Sequence, residues 1–391
     1  MRMQFWLSCA ATLLLFGSIG MTIPVLSKLA EDLGHSQSTI GVLSGAFWLV
    51  LVLARFPIGA ALERTRKKGW IAAALMVAAM AYGAIAGTDS VAVVFAARML
   101  QGIGFAAASI GLMAFAITKT DPDGRAAQFS IYSIFCFLGY ALGPAVGEYV
   151  GNHAGYGMAF TVSATMCVAA ILPTLLIREQ APSAPHESGP APWSWRAVLL
   201  LNVRHLQLML VAAPLGMSEA FVPVFSRENG YGAVSGFFFV FACSMLAARV
   251  NLSRLRARLA YRWLALTGTL LCAVALLLLA TACSQIMLLG AAGFMGVGWG
   301  LFFPSLLALS TQEDGAGGVR QVAVFDSVYD LSFFVGQFAF GLLISAAGYR
   351  LSFGVSVLVC LASTASLLWS ARRLRANQAQ GGGVHPLQES A

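Results

Sequence analysis

Two long apolar segments are joined by the sequence Arg55-Phe56-Pro57-Ile58-Gly59-Ala60-Ala61-Leu62-Glu63-Arg64-Thr65-Arg66-Lys67-Lys68. Four cations lie between Arg64 and Lys68. Because such a cluster is costly to move across a bilayer, it predicts a short loop held in the cytoplasm. Gly59, in the apolar segment before the cluster, would let a neighbouring helix approach closely. The stretch therefore predicts two membrane-spanning helices joined by a basic turn.

The composition extends this prediction to the whole chain. Hydrophobic residues make up 59% of the sequence and charged residues 10%, whereas a soluble domain has about 25% charged residues. Apolar stretches long enough to cross about 30 Å of hydrocarbon recur along the chain. We count twelve, at 5–26, 39–61, 70–87, 91–117, 127–150, 157–177, 206–226, 233–253, 263–282, 285–310, 322–346 and 351–371. The predicted fold is an all-α membrane protein of twelve transmembrane helices.

The distribution of Lys and Arg predicts the orientation of these helices. With both termini in the cytoplasm, eighteen of the 24 cations lie in cytoplasmic segments, and only Lys28, Arg227 and Arg350 lie outside. The positive-inside rule favours this arrangement. The net charge of +8 is thereby explained by topology, so it does not indicate a nucleic-acid partner. We expect a monomer surrounded by lipid in a bacterial cytoplasmic (inner) membrane.

The chain divides into four predicted segments. Residues 1–178 form an N-terminal six-helix bundle, and residues 206–375 form a C-terminal one. Between them, residues 179–205 form a Pro-rich cytoplasmic linker that ends in a short interfacial helix carrying Trp193 and Trp195. Residues 376–391 form a polar, Gly-rich, disordered tail. The first twenty residues could also be a signal peptide, but a second helix and its basic loop follow at the spacing expected for a retained first helix.

Short matches relate the two halves. Ala154-Gly155-Tyr156 recurs as Ala347-Gly348-Tyr349, and Gly102-Ile103-Gly104 recurs as Gly296-Val297-Gly298. Ile23-Pro24-Val25 similarly corresponds to Val222-Pro223-Val224. Matches in the same order indicate a duplicated six-helix unit. In such repeats a substrate site lies near the bilayer midplane, between the halves.

Three motifs in helices 2 to 5 resemble those of the major facilitator superfamily. The first is the basic loop, in which Gly59 is followed by the acid-Arg pair Glu63-Arg64 and by Lys67 and Lys68. It departs from the family pattern because Glu63 replaces Asp and Arg66 replaces Gly. The resemblance implies a conformational latch, although the loop also sets topology. The second motif is Arg98-Met99-Leu100-Gln101-Gly102-Ile103-Gly104 in helix 4.

The third motif indicates the direction of transport. Helix 5 contains Gly139, Gly143, Pro144 and Gly147, a pattern that resembles the one typical of drug:proton antiporters, which are exporters. The glycines would offer a flat face to a neighbouring helix, and Pro144 would allow a kink. We expect Glu148, near the outer end, to be solvated.

Ionisable residues within the predicted helices are candidates for function. There are seven, and they lie on helices 2, 4, 5, 7, 8 and 11: Arg55, Arg98, Glu148, Glu219, Arg249, Asp326 and Asp330. Helices 3, 6, 9 and 12 carry none, as expected for the lipid-facing periphery that the resemblance implies. The predicted substrate-binding residues are Arg98, Glu219 and Arg249, with a structural charge pair as the alternative for Arg98. The predicted proton-coupling residues are Asp330, Glu219 and Asp326.

Asp326 and Asp330 share one face of helix 11. Two partly desolvated carboxylates at this spacing raise each other's affinity for protons, as a proton carrier needs. Alternatively, they pair with Arg249 or with the basic loop. We expect Asp326, nearer the membrane edge, to be the paired residue and Asp330 to carry the proton.

Other functions are less well supported. No phosphate-binding Gly-rich loop of the P-loop type and no hydrolase motif occurs, and the seven cysteines lie in apolar segments without a Cys-x-x-Cys pair, so we expect no nucleotide, cofactor or metal and no enzymatic activity. The resemblance implies a proton-coupled exporter of a small organic molecule. Arg98 and Arg249 would suit a carboxylate-bearing metabolite such as a siderophore, whereas Phe237-Phe238-Phe239 would suit a hydrophobic drug or face lipid. A proton-coupled importer, a non-transporting sensor or assembly factor and a membrane-embedded enzyme are the alternatives.

Overall fold

The computed structural model describes residues 2–117, 122–178, 202–232, 234–313 and 319–380. Within these ranges the regular secondary structure is helical. The last helical stretch, Val319–Gln380, breaks at Gly348, where φ is 78°. We call its parts before and after Gly348 α11 and α12. The other long helices are α1 Arg2–Asp32, α2 Gln37–Arg64, α3 Lys67–Ala86, α4 Val91–Ala116, α5 Pro122–Ala154, α6 Tyr156–Leu176, α7 Val203–Glu228, α8 Ser235–Val250, α9 Tyr261–Ala280 and α10 Gln285–Glu313.

The twelve predicted transmembrane helices are confirmed. The described residues contain ten helical segments that are long and apolar enough to cross a membrane, one of which is the broken stretch that includes α11 and α12. α8 is a shorter apolar helix of 16 residues, and the small helix Leu252–Arg256 follows it. The protein is therefore a multi-pass membrane protein.

The internal duplication is visible in the backbone. Gly155 precedes α6 with φ 86°, and Gly348 precedes α12 with φ 78°. Left-handed backbone at both positions favours glycine because it has no Cβ. In α4, Gly102 lies against α2 and Gly104 against α3, and in α10, Gly296 lies against α8 and Gly298 against α9. The repeated glycines thus make equivalent helix contacts in the two halves.

The peripheral helices are those predicted from the absence of charge. Exposed large apolar side chains line α3, α6, α9 and α12, for example Met80, Leu172, Leu277 and Leu358. Such a surface is compatible with lipid. The inner helices meet across the two halves, where α2 packs on α11, α5 on α8 and α1 on α7. The predicted arrangement of the periphery is therefore confirmed.

Two predicted boundaries differ from the structure. Residues 203–205 belong to α7, because Asn202 caps that helix by accepting hydrogen bonds from the backbone N–H groups of Arg204 and His205, each 3.0 Å long. They are thus not part of a separate interfacial helix. Helix α12 continues to Gln380, five residues into the predicted disordered tail. The rest of the linker, 179–201, and of the tail, 381–391, lies outside the described residues.

Candidate functional site

A cavity of about 490 Å³ lies between the two halves. Its walls come from α1, α2, α4 and α5 of the first half and from α8, α10 and α11 of the second. Val250 and Leu252, at the end of α8, contribute to it, so the cavity reaches the end of the bundle that carries the loop between α2 and α3. We call this the basic end. The cavity has the size of a small-molecule site.

Contacts between the halves close the opposite end. Arg227 at the end of α7 forms an ion pair with Asp32 and lies 3.1 Å from Glu31 Oε2, both at the end of α1. The Ser38 backbone N–H donates to Ser345 Oγ at 2.9 Å. Gly41 on α2 meets Gly341 on α11 so closely that a Cβ on Gly41 would lie 3.2 Å from the Gly341 Cα. The two glycines therefore permit a tight crossing of α2 and α11 at the closed end.

Arg249 presents its guanidinium to the cavity. Its Cζ lies 3.5 Å from the centroid of the Phe137 ring and 5.9 Å from that of Phe303. Its Nε and Nη2 atoms are buried and have no hydrogen-bond partner among the described residues. A cation–π contact contributes about 0.5–2 kcal/mol, which offsets only part of the cost of burying the charge. Arg249 is thus placed to bind an anionic group.

An ion pair connects the halves in the cavity wall. Arg55 Nε donates to Asp330 Oδ2 at 3.1 Å, and Arg55 Nη2 contacts the same oxygen. Asp326, one turn away on α11, lines the cavity and makes no hydrogen bond within the described part of the chain. The predicted pairing was therefore wrong. Asp330 rather than Asp326 is paired, and its partner is Arg55 on α2, because α2 and α11 face each other where the halves meet.

Glu219 lies deeper in the bundle, at the contact between α7 and α5. The Tyr140 hydroxyl donates to Glu219 Oε1. Glu219 Oε2 is buried without a partner among the described residues. Glu219 also lines two smaller cavities, of about 50 and 20 Å³. An unpaired carboxylate oxygen at this depth makes Glu219 available to a proton or to a cationic group.

Arg98 is buried, but it lies outside the main cavity. Its Nε donates to the Leu43 carbonyl and its Nη2 to the Ser44 carbonyl, both at 3.3 Å, and its Nη1 donates to Gln101 Oε1 at 2.8 Å. It lines the 20 Å³ cavity together with Glu219. Arg98 therefore ties α4 to the backbone of α2, and no ion pair within the described residues includes it. Its role in substrate binding stays a prediction.

The predicted latch is only partly described. Gly59 is buried in α2, and Lys67 and Lys68 form the start of α3. The side chains of Glu63 and Arg64 lie outside the described residues. The role of this loop stays a prediction.

The glycines of the helix 5 motif pack on α1. A Cβ on Gly143 would lie 2.7 Å from the Gly17 carbonyl oxygen, and one on Gly139 would approach the Leu13 carbonyl. A Cβ on Gly147 would lie closer still to the Met21 carbonyl oxygen, and Pro144 lies within α5. The flat helix face predicted for these residues is confirmed.

Glu148 differs from its prediction. It is buried, pairs with Lys28 and accepts a 2.8 Å hydrogen bond from the Val234 backbone N–H. It is not solvated because the start of α8 covers the outer end of α5 there.

The sequence pattern of a known family covers most of this architecture. The model of the Major Facilitator Superfamily matches residues 8–336. The chain belongs to the Major Facilitator Superfamily. It is therefore a membrane transporter and not an enzyme.

Solved structures of other transporters share the fold. The nucleoside transporter NupG superimposes with a TM-score of 0.75 at 15% identity, covering 94% of this chain and 99% of NupG. A bacterial homolog of the human lysosomal transporter Spinster, in an inward-facing and unoccupied conformation, gives 0.77 at 15% identity, covering 94% and 96%. The human organic anion transporter MFSD10 gives 0.67 at 18%, covering 94% and 99%. At these identities the likeness shows the fold alone.

Two relatives align with parts of the chain, and one of them is an exporter by name. The class C tetracycline resistance protein of Escherichia coli is 30% identical over 129 residues, which are 32% of each chain. The staphylopine export protein of Staphylococcus aureus is 22% identical over 252 residues, 62% of this chain and 63% of the relative. The alignments thus span about a third and just under two thirds of these relatives' lengths.

Sequence reasoning missed several contacts of the site. Arg55 opens the stretch with which the sequence analysis began, yet its partner Asp330 is 275 positions away. Phe137 and Tyr140 lie one turn apart on α5 and contact Arg249 and Glu219. The sequence signal for these contacts was the pair of aromatic residues three positions apart on α5, which places both side chains on one face of the helix.

Proposed function

We propose that the protein is a proton-coupled antiporter that exports a small organic molecule bearing a carboxylate from the bacterial cytoplasm. The observation that carries the proposal is the Arg249 guanidinium, which lines an aromatic cavity between the halves. Two of its nitrogens have no hydrogen-bond partner among the described residues. A carboxylate would satisfy both nitrogens with charge-assisted hydrogen bonds. The remaining aromatic wall would hold the apolar body of the molecule.

The orientation follows from the positive-inside rule. The basic end faces the cytoplasm in the membrane that we propose, the bacterial inner membrane. The cavity then receives substrate from the cytoplasm, while the contacts of Arg227, Ser38 and Gly41 close the outer end. Rocking of one half against the other would reverse access to the same site.

Proton coupling is assigned to the acids of α11. Asp330 holds Arg55 while it is ionised, and a proton on Asp330 would release Arg55 because the neutral acid no longer attracts the cation. Asp326 lies one turn nearer the basic end and supplies a second carboxylate on the same face. Protonation of Asp330 would thus break the ion pair and weaken the contact between the halves. A membrane potential supplies about 2.3 kcal/mol per charge per 100 mV to drive the cycle.

Export is favoured by two observations. The staphylopine relative is an exporter by name, and the Gly139-to-Gly147 motif packs α5 on α1 as the resemblance to drug:proton antiporters implies. A proton-coupled importer is the competing function and is distinguished by the experiment below. We further propose that the transporter acts as a monomer in lipid.

The test uses inverted membrane vesicles from cells that produce the protein, energised so that the lumen is acidic. A panel of apolar aromatic carboxylates is offered, each with its matching amide. We expect carboxylates to accumulate in the lumen and amides to remain at equilibrium. Arg249→Gln should lower accumulation by about tenfold or more, the loss of about 1.4 kcal/mol of binding, and Arg249→Lys should rescue part of it.

Arg254→Gln is the matched control, because Arg254 is an exposed arginine just beyond α8. It should leave accumulation unchanged. Equal handling of carboxylates and amides, or full activity of Arg249→Gln, would contradict the assignment. Accumulation only in right-side-out vesicles with acid outside would identify an importer.

A further inference from the structure

A second, smaller cavity adjoins the main one and has a different chemistry. It has a volume of about 50 Å³, and eight of its fifteen lining residues are aromatic. Tyr329 connects the rings, with centroids 5.6 Å from Trp299 and 4.5 Å from Phe333. Tyr140, Trp299 and Tyr329 line both cavities, so a molecule in the main cavity can extend a group into the smaller one.

Glu219 is the acidic residue of this aromatic wall. The residue is 8% exposed, and its Oε1 is occupied by the Tyr140 hydroxyl while its Oε2 has no partner in the described part of the chain. The nearby cation Arg98 donates to Leu43, Ser44 and Gln101 instead. Glu219 therefore lines a cavity whose other walls are rich in aromatic rings, and within the described residues no cation lies at hydrogen-bond distance from its carboxylate.

Two physical effects select the same ligand. The faces of aromatic rings carry partial negative charge and attract cations, most strongly when the cation is desolvated. A buried carboxylate favours a cationic hydrogen-bond donor over a neutral one. A water molecule needs about 10–15 Å³ of such space, so 50 Å³ is suitable for a small head group such as –CH₂–NH₃⁺. A bulky ring would exceed it.

We propose that this aromatic cage, formed by Glu219 with Tyr140, Trp299, Tyr329 and Phe333, binds a primary alkylammonium group of the transported molecule. The proposal rests on the function proposed above and narrows its substrate class. The substrate is then amphoteric, with a carboxylate at Arg249 and an ammonium group at Glu219.

Arg249 and Glu219 are placed so that one substrate molecule could contact both. Arg249 stacks on Phe137, and Glu219 accepts from Tyr140. Phe137 and Tyr140 are separated by three residues on α5, an axial rise of about 4.5 Å. Arg249 and Glu219 belong to the second half, and both contact α5 of the first. A substrate bound to both residues would therefore lie against α5 where the halves meet.

The test measures binding to the full-length protein in lipid nanodiscs by isothermal titration calorimetry. The probe is 2-phenylethylammonium, and its neutral analogue is 2-phenylethanol. We expect the ammonium to bind about tenfold or more tightly than the alcohol. Glu219→Gln should raise the Kd of the ammonium by about tenfold or more and change that of the alcohol little.

Asp89→Asn is the matched control, because it removes an exposed carboxylate between α3 and α4 and leaves the cage intact. It should not alter the Kd of the ammonium. If Glu219→Gln fails to fold, Trp299→Leu and Trp299→Phe replace it, and the Leu variant should lose more affinity because it has no π face. Equal binding of ammonium and alcohol, or an unchanged Kd in Glu219→Gln or Trp299→Leu, would overturn the cage.

These outcomes are separable from those of the transport assay. If the cage does not bind ammonium groups, carboxylates should still accumulate in vesicles in a way that depends on Arg249. Conversely, selective ammonium binding in nanodiscs without carboxylate accumulation in vesicles would refute the proposed function and retain the cage.

Discussion

Arg55 and Asp330 join the two halves of the protein inside the membrane, with Arg55 Nε 3.1 Å from Asp330 Oδ2. The pair forms part of the wall of the central cavity, beside Asp326. A buried ion pair gives little net stability, yet removal of one partner typically costs about 3–5 kcal/mol because the other charge is left uncompensated. Such a pair is suited to a protonation-dependent contact between the halves.

The first prediction concerns coupling through this pair. Asp330→Asn should abolish proton-driven accumulation and retain substrate exchange, because an amide cannot take up and release the proton. Asp326→Asn should have a milder effect, since no hydrogen bond or ion pair among the described residues joins Asp326 to the other half. Flux measured with and without an imposed pH gradient checks both variants, and a normal gradient in Asp330→Asn together with a lost gradient in Glu219→Gln would move the carrier to α7.

The same pair gives a prediction about stability. Arg55→Gln should lower the melting temperature of the purified protein because it leaves the Asp330 carboxylate buried and unpaired. The double variant Arg55→Gln with Asp330→Asn should recover most of the loss but remain uncoupled. Thermal unfolding of the single and double variants forms a mutant cycle. Additive effects of the two substitutions would show that the pair is not energetically coupled.

Arg98 should be required for movement rather than for binding. Arg98→Ala removes the donors to Leu43 and Ser44 on α2, so we expect transport to be lost while the protein still inserts and folds. Affinity for a transported carboxylate should stay within about threefold, a change of less than 1 kcal/mol, because Arg98 lies outside the main cavity. Arg98→Lys should rescue transport in part. A large loss of affinity in calorimetry would place Arg98 in the substrate site.

The closed end should be a gate. In a background without native cysteines, Ser38→Cys with Ser345→Cys places two thiols across α2 and α11, where the native residues are in hydrogen-bond contact. Oxidation should block transport by preventing separation of the halves, and reduction should restore it. Ser38→Cys alone is the control and should be insensitive to oxidation. Unimpaired transport by the fully cross-linked protein would show that this end does not open.

The contact between α5 and α1 should be sensitive to a single methyl group. Gly143→Ala would place a Cβ 2.7 Å from the Gly17 carbonyl oxygen, an overpacking that costs about 1–3 kcal/mol. Gly83→Ala on α3 meets no atom within 4 Å and serves as the control, with an unchanged or slightly raised melting temperature. Equal melting temperatures of the two variants would contradict the close packing.

Local sequence patterns predicted much of this fold. Apolar length predicted the twelve helices, and the glycines of α5 predicted a close helix contact. The matching glycines of α4 and α10 predicted the internal duplication. The absence of charge predicted the peripheral helices. These features depend on residues that are near one another in the chain, so they can be predicted from a single sequence.

Contacts across the halves were not predictable in the same way. The choice of Arg55 rather than Arg249 as the partner of Asp330 depends on how α2 and α11 are rotated toward each other. The burial of Glu148 depends on the start of α8, which lies in the other half. The periodicity of a single helix contains no information on either contact. This explains why the expected pairing of Asp326 and the expected solvation of Glu148 were wrong.

Proton-coupled export requires that protons leave the vesicle lumen as substrate enters it. Inverted vesicles with an acidic lumen and a pH-sensitive dye inside are mixed with a transported carboxylate. We expect the lumen to become more alkaline as substrate enters. Both signals should be reduced in Arg249→Gln, and the proton signal should be absent in Asp330→Asn. Substrate entry without any change of luminal pH in the wild-type protein would contradict proton-coupled export.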